Sequence, residues 1–253
     1  MKYTVITGAS SGIGKETAIY FASKGHNIII VARRKELLNN LKKEIENKYK
    51  VKVLIYIYDL TNINNVLKFY QKIKDHQLEI LINNAGFGDR NDPWDSDLHK
   101  IKMMIDLNIT SLTYLSILFI KDNINKDSQI INISSTAGYK IWKGGVIYSA
   151  SKFYVSVFSE GTAKLLKNQK AKLKMKVLAP SSTKTEFVER SIIKSKVDPK
   201  LLKESEIKRK DYQKEPKLVA KYIYELYKSD KNIGIVDATK NILYLEDQYF
   251  DDL

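Results

Sequence analysis

The 253-residue chain contains no cysteine. Disulfide scaffolds, thiolate zinc sites and cysteine nucleophiles are thereby excluded, and a cytoplasmic setting is expected. Histidine occurs only at 26, 76 and 99, and nothing in that spacing resembles a metal site. No apolar run approaches the roughly 20 residues that cross a bilayer, and the apolar stretch at the N-terminus is too short for a signal peptide. No membrane association is expected. Arginine is also scarce. Lys+Arg 43 against Asp+Glu 29 gives a net charge of +14, yet the only arginines are Arg33, Arg34, Arg90, Arg190 and Arg209. Base readers favour the arginine fork. These basic residues are mostly lysines interleaved with glutamate and asparagine, the pattern of a solvated surface, so no nucleic-acid partner is expected.

Hydrophobic residues at 43% and charged residues at 28% make an ordinary globular balance. Strand-like runs cover 3–7, 27–32, 52–58, 79–83, 129–134, 174–179 and 232–237. Several are almost continuously apolar, as strands buried on both faces of a parallel sheet are. Amphipathic segments of helical length, such as 14–24, 36–48 and 62–74, lie between them. The alternation predicts an α/β fold: a doubly wound parallel sheet of about seven strands with helices on both faces, in a single domain over 1–253.

Glycine occurs only 11 times and is concentrated after particular strands. Gly8, Gly12 and Gly14 follow the first, Gly86 and Gly88 the fourth, and Gly138, Gly144 and Gly145 the fifth. Ligands bind beyond these strand ends in such sheets. Residues 189–214 contain no glycine, carry nine basic side chains and interrupt the βα rhythm. This segment is either a mobile lid over the ligand edge or a pair of ordinary surface helices.

The run Thr7-Gly8-Ala9-Ser10-Ser11-Gly12-Ile13-Gly14 joins the first strand to the first helix. It offers close backbone approach and a helix N-terminus to a phosphate. No Gly-Lys-Ser/Thr ending follows, which disfavours a nucleotidase loop. The second strand ends Ala32-Arg33-Arg34, with alanine where an NAD site carries an acid. Guanidinium groups there suit a 2′-phosphate, so NADP(H) is expected over NAD(H). The alternative is a pair of solvated arginines at a helix start. Farther on, Tyr148 and Lys152 stand at i and i+4 on one helix face, with Ser135 upstream. A lysine beside a phenol favours phenolate, which predicts a lowered Tyr148 pKa and an acid–base group usable near neutral pH.

Together, Thr7 to Gly14, Asp59-Leu60, Asn83-Asn84-Ala85-Gly86, Asn108, Ile133-Ser134-Ser135 and Tyr148 to Lys152 resemble the classical short-chain dehydrogenase/reductase family. The resemblance covers nearly the whole chain and implies a Rossmann-like fold. It implies catalytic roles for Ser135, Tyr148, Lys152 and Asn108. Tyr148 would be the general acid or base, Ser135 would polarise the carbonyl, and Lys152 would assist Tyr148 and hold the nicotinamide ribose. Asn108 would hold a water that links Lys152 to solvent, or else be a mid-helix residue bonded to backbone. Cofactor contacts would come from Gly8, Ser10, Ser11, Gly12, Ile13, Gly14, Arg33, Arg34, Asp59, Leu60, Asn84, Ala85, Gly86, Tyr148, Lys152 and Thr185, with Asn83 structural.

Ser181 departs from the family pattern, replacing the usual glycine after Pro180. The implied reaction is hydride transfer between NADP(H) and a carbonyl or secondary alcohol, without a metal. A non-catalytic dinucleotide sensor and a reductase of carrier-linked 3-oxoacyl groups are the alternatives. Phe87, Tyr139, Ile141, Trp142 and Phe187 fall in loops expected near the nicotinamide and suit an apolar pocket, or else core packing. The resemblance further implies a homodimer or homotetramer, joined through helices around 97–122 and 148–167.

Overall fold

The structure, a computed structural model, describes residues 1–142, 144–191, 197, 200, 204, 207 and 211–251. Its centre is one sheet in the order β3-β2-β1-β4-β5-β6-β7-β8. The strands are β1 (Lys2–Thr7), β2 (Asn27–Ala32), β3 (Val53–Ile57), β4 (Gln77–Asn83), β5 (Gln129–Ile133), β6 (Lys174–Ala179), β7 (Ile233–Val236) and β8 (Leu243–Glu246). The first seven run parallel, and β8 returns antiparallel along β7. The expected count of about seven becomes eight because a short, half-exposed hairpin strand closes the edge.

Successive residues of a strand face opposite ways, so a strand covered on both sides must be apolar throughout. In β2, Ile28 and Ile30 enter one core while Ile29 and Val31 enter the other. The first core is roofed by α1 (Gly12–Ser23), α2 (Lys35–Lys48) and the last helix, α8 (Pro216–Lys228). The second is roofed by α3 (Ile63–Ile73), α5 (Leu112–Asn123) and α6 (Val146–Asn168). Two short helices are also among the described residues, α4 (Leu98–Ile105) and α7 (Phe187–Ser191). Strand order reverses between β1 and β4, and a crevice opens beyond the carboxyl ends of the strands at such a reversal.

From Leu98 to Asn123 the chain is helical throughout, with a π-helical turn over Asp106–Ser111 joining α4 to α5. The stretch is long enough to cross a membrane, and an 18-residue window within it reaches a mean hydropathy of 1.6, although polar residues such as Asp106 and Asn108 interrupt it. Its inner face, including Met104, Leu112, Leu115 and Phe119, is buried against the protein, which accounts for that apolar character.

Of the segment 189–214, residues 192–196, 198–199, 201–203, 205–206 and 208–210 lie outside the described residues, so the lid expectation falls largely there. Its end is described. The Lys214 backbone N–H donates to Ser182 O at 2.8 Å, and Lys184 N–H donates to Lys214 O at 2.9 Å.

Candidate active site

A cleft of about 1190 Å³ lies over the reversal point. It runs from Arg33 and Asp59 at one end, past the glycine loop, to Ser135, Tyr148 and Lys152 at the other. Every expected site residue lies on its wall except Gly14 and Asn108. Those two stand one layer behind it.

The glycine loop is shaped by contacts that leave no room for side chains. Gly8 and Gly12 have φ of +68° and +56°, which L-residues rarely adopt. A Cβ at Gly14 would lie 2.5 Å from Gly8 O, so the helix start packs directly on the turn. Thr7 holds this loop to the end of β4. Its hydroxyl accepts from Asn84 N–H and Ala85 N–H, both at 2.9 Å, and its carbonyl accepts from Asn84 Nδ2 at 2.9 Å. Asn83 points away into the sheet, where Nδ2 donates to Asn132 Oδ1 at 2.9 Å and Ser116 Oγ at 3.1 Å. That placement agrees with a structural role.

The two arginines separate. Arg33, which is exposed, lies 3.6 Å from Asp59 Oδ2. Arg34 folds back over the glycine loop and donates to Ser10 Oγ at 3.0 Å and Ser11 Oγ at 2.6 Å. Its Nη1 also meets Glu186 Oε2 at 3.0 Å, and Ser11 Oγ donates to the same carboxylate oxygen at 3.3 Å. Glu186 was not among the expected site residues. It follows Thr185, whose methyl packs where a Gly12 Cβ would stand, 2.9 Å away. Ser181 is accommodated without a glycine because its hydroxyl donates to Asp237 O at 3.0 Å.

At the far end, Ser135 stands beside the Tyr148 phenol. Burial pushes the Tyr148 pKa up to about 12, against the smaller opposing effect of the Ser135 hydroxyl. The expected lowering by Lys152 is therefore not what the structure shows. The ammonium lies 5.9 Å from the phenol ring centroid and donates to Ile133 O at 2.8 Å. Burial pushes the Lys152 pKa down to about 8. Desolvation disfavours the charged form of each group and so moves the two values apart from their charged states.

Asn108 sits in the π-helical turn, a device found often at functional sites. Its Nδ2 donates to Phe87 O at 2.9 Å and Ser151 Oγ at 3.1 Å, and its Oδ1 accepts from Phe87 N–H at 3.1 Å. It thus ties the loop after β4 to α6, close behind Lys152. Phe87, Tyr139, Ile141, Trp142 and Phe187 all line the cleft, as expected of a pocket. Arg90 lines it too and was missed.

The close-packed glycines of the cleft and the Ser10–Ser11–Arg34 cluster fit phosphate groups. The profile of the short chain dehydrogenase family matches residues 2–195. The protein belongs to that family. An uncharacterized oxidoreductase of Staphylococcus saprophyticus is 33% identical to this dehydrogenase over 168 residues, covering 65% of this chain and 72% of that one. An NADP-dependent 3-hydroxy acid dehydrogenase of Schizosaccharomyces pombe is 32% identical over 193 residues, covering 74% and 73%. Other relatives are longer, and a Danio rerio very-long-chain 3-oxoacyl-CoA reductase is matched over 52% of its length. Among solved structures, a Sphingobium yanoikuyae short-chain dehydrogenase in complex with NADPH superposes with a TM-score of 0.79. It is 27% identical, and the alignment covers 93% of this chain and 87% of that one.

Proposed function

We propose that this dehydrogenase interconverts a small carbonyl compound and its secondary alcohol with NADP(H) as the redox partner. The observation that carries the reading is the meeting of Ser135, Tyr148 and Lys152 at the floor of a cleft whose other end holds Arg34 on two serines. The NADP-dependent fission-yeast relative and the NADPH complex of the bacterial neighbour support it.

The roles follow from the side chains. Gly8 to Gly14 and Asn84 to Gly86 would line the adenosine and pyrophosphate, and Asp59 and Leu60 the adenine. Ser10, Ser11 and Arg34 would take the 2′-phosphate. When bound, the nicotinamide supplies the hydride for the carbonyl carbon. Tyr148, protonated through the neutral range, gives its proton to the carbonyl oxygen. Ser135 donates a hydrogen bond to that same oxygen as charge develops there. Lys152 supports the phenol from behind with its charge, and Asn108 ties the Phe87 backbone to the Ser151 hydroxyl beside them. NADPH oxidation followed at 340 nm across a panel of ketones, aldehydes and oxo acids tests the reading; no turnover anywhere on the panel, with no NADPH binding, would overturn it.

We also propose that the protein is a homo-oligomer. On α5, Tyr114 and Ile117 are exposed, and on α6 Tyr154, Val157 and Leu165 are exposed. The two helices are neighbours, joined by a 3.0 Å contact between Thr113 Oγ1 and the Tyr154 hydroxyl. Apolar side chains at such helical spacing form one face suited to a symmetric partner. Light scattering at micromolar concentration should give a mass of at least twice 29.1 kDa. A purely monomeric mass would refute this.

A further inference from the structure

We infer that Tyr249 closes the substrate end of the cleft and sets the size of carbonyl compound that reaches Tyr148. This rests on the proposed dehydrogenase reading and deepens it by naming a specificity-determining residue. The proposed cofactor contacts lie beyond the ends of β1 to β6, from Arg33 to Thr185. In sheet order the cleft wall continues past them, over Ile235 and Val236 of β7 to Tyr244 and Glu246 of β8 and then Tyr249. Tyr249 is tied back to the reacting centre. Ser135 caps the short turn Thr136–Gly138, where its hydroxyl accepts from Ala137 N–H at 3.1 Å, and Tyr139 follows that turn directly. The Tyr139 ring, which also lines the cleft, meets the Tyr249 ring edge-on at 4.6 Å. One turn of chain therefore links Tyr249 to the hydroxyl that would polarise the carbonyl.

A buried carboxylate that the reaction does not use holds Tyr249 in place. Glu160, on α6, is 4% exposed. Its Oε2 accepts from the backbone N–H groups of Tyr249 at 3.0 Å and Phe250 at 3.2 Å, and its Oε1 accepts from the Tyr139 hydroxyl at 2.8 Å. Burying a carboxylate is costly unless it is hydrogen-bonded, and charge-assisted bonds of this kind are the stronger ones. Burial first, and the Glu160 charge second, push the Tyr139 pKa above the usual phenol value, so Tyr139 remains a donor. Phe250 stacks on Tyr139 at 5.6 Å and packs against a small core that includes Val177, Ala179 and Ile233. Asp247 meets Lys231 at 2.7 Å, and Phe250 O accepts from Gln248 Nε2 at 2.7 Å and Lys164 Nζ at 3.3 Å. The backbone of 247–250 is thus fixed by groups other than the Tyr249 side chain. That ring, 42% exposed, is left facing the cleft as a wall whose removal widens the space without releasing the segment.

The test compares 2-pentanone with 4-phenyl-2-butanone, using the intact protein and NADPH. A hydrophobic pocket with a fixed wall distinguishes substrates by about 10- to 200-fold per methylene. The parent protein should favour 2-pentanone in kcat/KM. Tyr249→Ala should move the ratio toward the phenyl ketone by at least about tenfold, with NADPH affinity unchanged. Tyr249→Phe, which keeps the ring, should keep the parent ratio. Glu160→Gln, which weakens the anchor and leaves the ring, should move the ratio in the same direction as Tyr249→Ala and speed hydrogen exchange at the Tyr249 and Phe250 amides. Where neither ketone turns over, calorimetric titration of the NADP⁺ complex reads the same ratio as affinities. A ratio unchanged in a cooperatively melting Tyr249→Ala, or moved as far by Tyr249→Phe, would overturn the inference while leaving the dehydrogenase reading in place. Failure of both ketones to bind a protein that does take NADPH would overturn it as well. Loss of all carbonyl reduction and of NADPH binding would instead remove the parent reading.

Discussion

Replacing Tyr148 with phenylalanine should lower carbonyl reduction by about 10² to 10⁴-fold while leaving NADPH affinity and the melting temperature close to those of the parent protein. The ring keeps its contacts with Trp142 and Phe187, at 6.3 Å and 5.3 Å between centroids. Only the hydroxyl and its polar contact with Ser135 are lost. Stability should therefore change by no more than about 1.5 kcal/mol, the upper end of what one hydrogen bond is worth. The pH profile separates chemistry from structure. With its pKa pushed up to about 12, Tyr148 stays protonated across the working range and is ready as an acid. Lys152, pushed down to about 8, loses its charge earlier. The expected kcat/KM for reduction is flat on the acid side and falls as pH rises through about 8. Lys152→Met should remove that inflection. A profile flat to pH 10 in the parent protein would show that the ammonium charge is not needed, and normal turnover by Tyr148→Phe would remove the assigned acid.

What could be read from the sequence was what depends on neighbours in the chain. The core strands announce themselves because burial on both faces forbids polar residues, as in Ile28 to Val31. The edge strand β8 does not. Leu243–Glu246 has only four residues with alternating half-burial, and its assignment depends on pairing with β7. Lys176 is equally misleading from sequence. It sits in the middle of β6, yet its ammonium is buried where it donates to Leu226 O at 2.8 Å and Ser229 O at 2.6 Å. There it satisfies carbonyls at the end of α8, which is also the negative end of that helix dipole. No local pattern marks such a residue. The π-helical turn around Asn108 is hidden for a related reason: one residue more per turn does not disturb the apolar spacing enough to be seen.

The candidate site divides along the same line. The glycine loop and the Tyr148–Lys152 pair are short-range patterns whose spacing carries the geometry. Glu186 is 152 positions from Arg34, and only the packing of Thr185 on Gly12 brings them together. The sign of the Tyr148 shift was also out of reach. Proximity to a lysine argues for lowering it, while desolvation, which requires the fold, raises it. Arg90 did leave a trace, as one of five arginines in a lysine-rich chain and two residues beyond a glycine at a strand end.

Cofactor choice should turn on Arg34 more than on Arg33. Arg34→Asp should weaken NADPH binding by about 100-fold, because charge-assisted hydrogen bonds worth about 1.5–3 kcal/mol are lost and a repulsive carboxylate replaces them. NADH, which brings no 2′-phosphate, should change by only about threefold. Arg33 is exposed and faces Asp59 at 3.6 Å, so Arg33→Asp should have the smaller effect. Glu186 supplies the sharper test. Its carboxylate occupies the Arg34 Nη1 edge and accepts from Ser11, the same donors that a phosphate would use. Binding NADPH then requires one anion to replace another. Glu186→Gln removes the competing charge and should tighten NADPH by about tenfold without altering NADH, an effect that should vanish in the Arg34→Asp background. Calorimetric titration of the parent protein and these four variants with both cofactors measures all of these terms. If Glu186→Gln weakened both cofactors alike, the contact would be a brace for the loop and would have no part in cofactor choice.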